Sequence, residues 1–100
     1  MKMGVPRGLT KDTIEGRYER PVDQIFAAAR KVLDHNGKVY GENTISKTLE
    51  AKIDSRTVRV VVDDVEPKVS RVRVQARKKG GTADIELASE IEKQIALELR

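Results

Sequence analysis

The chain has 100 residues, with 20 Lys and Arg against 16 Asp and Glu, one His and no Cys. That length predicts one domain with a small core, and the missing cysteines exclude disulfides, Cys-ligated metals and thiol chemistry. No apolar run approaches the roughly 18 residues needed to cross a bilayer, and the first residues hold no stretch of signal-peptide length.

Phe26 is the only Phe, Tyr18 and Tyr40 are the only tyrosines, and there is no Trp. The core is therefore expected from Val, Ile, Leu and Ala. Residues 1–11 contain Gly4, Pro6 and Gly8 without periodicity and read as a flexible arm before a single domain at 12–100. Residues 12–20 alternate as a strand does, with Ile14, Gly16 and Tyr18 on one face. Pro21 ends that strand and suits the first turn of a helix. The helix is expected from about Pro21 to Asn36, because Val22, Ile25, Phe26, Ala29, Val32 and Leu33 form one stripe. Asn36-Gly37 ends it, with Gly37 expected in the left-handed C′ conformation.

Lys38 to Gly41 reads as a short strand, Glu42-Asn43 as a turn and Ile45 to Ile53 as the next strand. Asp54-Ser55 leaves a two-residue hairpin loop before a strand at Arg56 to Asp63. Asp64 to Lys68 reads as a longer turn around Pro67, and Val69 to Arg77 as the last strand. Val58, Val60 and Val62 alternate with polar neighbours, as do Val72, Val74 and Ala76. Strands that alternate so have one buried and one wet face. The expected register sets Ala51 against Val58 and Leu49 against Val60. It then sets Val62 against Val72, Val60 against Val74 and Val58 against Ala76. On the wet face it brings Glu50 to Arg59 and Asp63 to Arg71. A one-residue slip would invert every side chain, so the double match fixes the pairing. A second helix is expected from about Ala83 to Leu99, capped by Thr82, with Ile85, Ala88, Ile91, Ile95 and Leu99 as its stripe.

The expected fold is an α+β two-layer sandwich, an antiparallel sheet of four to five strands with two helices packed on one face, in the order β-α-β-β-β-β-α. The strand before Pro21, the Ala-rich helix ending His35-Asn36-Gly37, the Ile53-Asp54-Ser55-Arg56-Thr57-Val58 hairpin and Gly80-Gly81-Thr82-Ala83-Asp84 before the last helix together resemble a family of small bacterial domains of unknown function, often lipoproteins. The resemblance spans roughly residues 12–99 and implies the same strand-helix-strands-helix plan without an activity. As written, the chain is expected in the cytoplasm, with the cell envelope as the alternative if a leader was removed.

Charge is distributed locally. Residues 68–79 carry Lys68, Arg71, Arg73, Arg77, Lys78 and Lys79 without an acid. Arg71, Arg73, Arg77, Lys78 and Lys79 are the candidate polyanion-binding residues, since an arginine-lined sheet face can hold phosphates. The competing reading is a solvated, ion-paired face that discourages aggregation. The wet face is expected to offer Thr57, Arg59, Val61, Arg71, Arg73 and Gln75, and no aromatic. Lys78-Lys79-Gly80-Gly81-Thr82 precedes a helix N-terminus and can bind an anion or serve as a plain turn. His35 suits the helix C-terminus, and the acids of the last helix read as solvated faces. No catalytic residue, metal ligand or cofactor site is assigned. The expectation is a non-enzymatic interaction or structural domain, partnered by an unknown protein or a second copy through the open sheet face or an edge strand. Weak nucleic-acid or polyanion binding at residues 71–79 is the alternative.

Overall fold

The computed structural model describes residues 12–100; the expected arm at 1–11 lies outside them. Strand β1, Thr13–Tyr18, buries Ile14, Gly16 and Tyr18 on one side. Pro21 is the N-cap of helix α1, Val22–Asn36, and its φ of −68° leads straight into the first turn. Strands β2 (Lys38–Asn43), β3 (Thr48–Ile53), β4 (Arg56–Glu66) and β5 (Val69–Arg77) form an antiparallel meander. Helix α2, Ile85–Glu98, follows.

The strand order is β1-β5-β4-β3-β2, all antiparallel. Because β1 pairs with β5, α1 has to carry the chain from one edge of the sheet to the other. It accordingly touches β5, β4, β3 and β2 in its path, while α2 packs on β5 and β1 and against α1. The protein is a five-stranded α+β sandwich with both helices on one face.

Pairing follows the expected register at every apolar position: Leu49 with Val60, Ala51 with Val58, Val60 with Val74, Val62 with Val72 and Val58 with Ala76. These residues are at most 1 % exposed. From α1 they meet Ile25, Phe26, Ala29, Val32 and Leu33, and from α2 Ala88, Ile91 and Ile95. The core is mostly aliphatic, with Tyr18 and Phe26 as its aromatic members, and Leu33 is fully buried in it, so truncating Leu33 to Ala would cost about 2–5 kcal/mol.

The two-residue Asp54-Ser55 hairpin loop is as expected, while other turns and helix ends depart from expectation. Gly37 has φ −171°, which is extended rather than left-handed. Its glycine is required by close approach: a Cβ there would strike the Lys52 carbonyl oxygen and lie 2.9 Å from Ile53 Cγ1. β2 runs on to Asn43, and β3 begins only at Thr48. Asn43 causes both, since its Oδ1 accepts from the backbone N–H groups of Ile45 (3.0 Å) and Ser46 (2.9 Å) and holds residues 44–47 in a turn. β4 extends to Glu66, and the long turn shrinks to Pro67-Lys68 with a register shift between Asp64 and Glu66. The extra residue at the bulge absorbs what sequence alternation alone treats as a loop. Asp84, not Thr82, caps α2, its carboxylate accepting from Leu87 N–H at 3.0 Å.

Two described residues of charged type are buried: Asp84, at the α2 cap, and Glu92, against the core. Glu92, on α2, is 1 % exposed and accepts a hydrogen bond from the Tyr18 hydroxyl. Its place among solvated helix acids is overturned, because α2 lays this position directly over β1. Gly16 makes the room: a Cβ there would run into Glu92 Oε2 and stand 3.0 Å from the Tyr18 hydroxyl oxygen. Burial pushes the Glu92 carboxyl above its ordinary value of 4.5. Burial and the neighbouring carboxyl push the Tyr18 phenol up as well.

Candidate functional site

The face of the sheet opposite the helices is the candidate site. It divides into two halves of different electrostatic character. The first half, on β1, β5 and the end of β4, is an ion-pair lattice. Arg71 donates from Nε to Asp63 Oδ1 at 3.0 Å and from Nη2 to Asp63 Oδ2 at 2.5 Å, a two-pronged grip. Arg73 Nη2 is 3.7 Å from the same Asp63 oxygen. Arg77 donates to Asp12 and, at 2.9 Å, to the Gly81 carbonyl. Arg17 pairs with Glu15 at 3.1 Å.

This arrangement leaves a clear signature. The Arg71 hydrogen bond holds the Asp63 carboxyl below its usual range, and Asp63 in turn raises Arg71. The Thr13 hydroxyl, with Arg77 and Gln75, holds Asp12 down. Of the five candidate polyanion residues, Arg71, Arg73 and Arg77 are thus brought together on one strand but engaged by carboxylates. Lys78 and Lys79 stand exposed in the loop beyond it.

Backbone N–H groups at that loop are bonded within the chain. Gly81 N–H donates to Lys78 O and Asp84 N–H to Ala76 O, each at 2.8 Å. The α2 N-terminus already holds the Asp84 carboxylate, which Arg56 Nε reaches at 2.6 Å. An anion there would have to displace the protein's own. His35 is exposed in the last turn of α1.

The second half, on β2, β3 and the start of β4, is bare. Lys38, Lys52 and Arg59 are exposed, and among the described residues none of them forms an ion pair with a carboxylate. Lys38 lies directly opposite Lys52. Tyr40 is 58 % exposed on this half, correcting the expectation of a face without an aromatic. The register shift between Val39 and Gly41 puts Tyr40 at a bulge. Its ring borders one hollow of about 180 Å³ with Glu50, Arg59 and Gln75, and another of about 490 Å³ with Lys38 and Lys52. The signal was available in the sequence: Val39 turns inward, so its neighbour turns out.

Elsewhere, an open groove of about 910 Å³ lies between the start of α1 and the β4–β5 turn. Glu19, Asp23 and Asp64 line it together with Arg20, Lys47 and Lys68, and Lys47 bridges to Asp23 at 2.8 Å, so it favours neither sign of ligand. Among the described residues no three His, Asp or Glu side chains cluster as metal ligands would. No helix among them is long and apolar enough to cross a membrane. Neither a protein-family model nor a curated protein matches the chain.

Proposed function

We propose that this protein is a non-enzymatic interaction domain whose contact surface is the open sheet face, with a second copy of the chain as the first partner to test. The observation that carries this reading is an entire sheet face without helix cover, on which half-buried Val61 and exposed Tyr40 sit among charged side chains. Aliphatic stems of arginine extend such a surface, and a self-complementary patch pairs naturally about a two-fold axis. Val61 lies opposite Arg73 and Thr48, so a carboxylate placed there would find Arg73 beside it and leave the fold intact.

Sedimentation equilibrium across a wide concentration range tests it. Wild type is expected to gain mass with concentration while Val61→Glu stays monomeric. A wild-type monomer even at about millimolar concentration, far weaker than a specific interface sustains, would remove self-association.

The polyanion reading at residues 71–79 draws its support from exposed Lys78 and Lys79, since Arg71 and Arg77 are hydrogen-bonded to carboxylates and Arg73 stands 3.7 Å from Asp63. Charge swaps at both lysines that abolish retention on heparin would restore it.

A further inference from the structure

We propose that the open face of β2, β3 and β4 binds a single-stranded polynucleotide, a base stacking on Tyr40 and phosphates resting on Lys38, Lys52 and Arg59. The inference rests on the open face being the contact surface and names a chemical class for one half of it.

Three observations converge. Lys38 and Lys52 are direct cross-strand partners, and like charges so placed repel. The protein tolerates this where a ligand anion would relieve it. The one acid on this half, Glu50, lies opposite Arg59 in register but leans over Gly41, where a Cβ would lie 3.0 Å from its Oε1. Among the described residues it forms no ion pair with Lys38, Lys52 or Arg59, all of which are exposed. Finally, Tyr40 stands as a ridge between the hollow bordered by Arg59 and the hollow bordered by Lys38 and Lys52. An aromatic platform flanked by cations is what a strand of bases and phosphates needs: every base has a stacking face, and every linkage carries a charge.

Edge lysines also discourage sheet-to-sheet aggregation, and β2 is an edge of the described sheet. That role accounts for Lys38 but not for Tyr40. An exposed aromatic ring on an edge strand works against it. The arginine-rich half offers no comparable platform, and its guanidinium groups would have to leave Asp63 and Asp12 first.

The test uses fluorescently labelled DNA and RNA single strands of about 12 nucleotides, read by anisotropy, with heparin as a polyanion without bases. Three phosphate contacts predict a log–log salt slope of about −2, so binding should weaken about twentyfold between about 50 and about 200 mM salt. Tyr40→Ala is expected to weaken both strands about tenfold while leaving heparin retention unchanged. Lys52→Glu should weaken strands and heparin alike. In amide spectra, the strands should shift residues on β2 and β3 and spare those on β1.

Strand binding that is absent at the lower salt, indifferent to Tyr40→Ala, or lost only with Lys78→Glu and Lys79→Glu would overturn the proposal. Self-association broken by Val61→Glu would still support the open-face reading in the first case. Strand binding with a concentration-independent mass would leave the polynucleotide as the partner of that face.

Discussion

The two halves of this sheet treat charge in opposite ways. The β1–β5 half satisfies it: Asp12, Glu15 and Asp63 hold Arg77, Arg17 and Arg71 on the outside, and even the buried Glu92 has the Tyr18 hydroxyl on the inside. The β2–β3 half is apolar beneath, with Leu49, Ala51 and Ile53 under α1, and unpaired above, with Lys38 and Lys52 side by side. A face whose charges are paired is already neutralised and rigid. A face whose charges repel holds free energy that a ligand of opposite sign can release. Local charge density therefore says less about binding than the state of pairing does.

Glycine substitutions make the largest break in that comparison. Gly37→Ala drives a methyl into the Lys52 carbonyl on the bare half, and backbone cannot withdraw. A loss of about 3 kcal/mol is expected by urea denaturation, at the upper end of overpacking costs. Gly16→Ala on the paired half meets the end of a side chain instead, Glu92 Oε2. Its cost should be smaller, about 1–2 kcal/mol, and a double-mutant cycle with Glu92→Ala should recover much of it. Equal costs at the two sites would mean that the Glu92 side chain has no room to give.

Titration next separates the inner and outer faces of the paired half. Glu92 has its carboxyl raised by burial, so the folded state keeps the proton that the unfolded chain releases. The stability this contributes is complete below the ordinary value of 4.5 and is lost as pH rises through the higher folded value. Glu92→Gln should therefore match wild type in acid and exceed it at neutral pH, with the melting temperature up by about 4–8 °C for each ~1 kcal/mol gained. A variant that melts below wild type at neutral pH would show the carboxylate to be favourable where it lies.

Asp63 has the opposite sign. Its carboxyl is lowered, first by the Arg71 hydrogen bond, so its contribution is present above the ordinary value of 3.8 and lost as pH falls through the lower folded value. Asp63→Asn should cost only about 0.5–1 kcal/mol, since the pair is partly solvated, and the cost should vanish in acid. The smallest effect belongs to the bare half: Lys38→Glu places a carboxylate opposite Lys52 and should raise stability by about 0.5 kcal/mol. A destabilised Lys38→Glu variant would remove the contrast between the halves.

Much of this architecture is legible in the residues themselves. Alternation from Val58 to Val62 and from Val72 to Ala76 specifies one buried face, and matching it across two hairpins specifies register. The Asp63–Arg71 contact follows from the same arithmetic, but whether Arg71 remains available to a ligand does not. Tyr40 on the open face could be read from Val39 turning inward, although the bulge that lifts it between two hollows could not. Glu92 left a trace too, because it falls on the stripe of Ala88, Ile95 and Leu99 with Gly16 facing it from β1.

By itself, the sequence determined the elements, the buried face of each and the pairing of neighbouring hairpins, because periodicity and short loops are local properties of the chain. Only the tertiary structure decided that β1 closes against β5 at the far edge, that Gly37 is there to admit the Lys52 carbonyl, and which cations have partners. Those are consequences of distance between residues remote along the chain, and α1, carrying the backbone across the whole sheet, is what sets those distances.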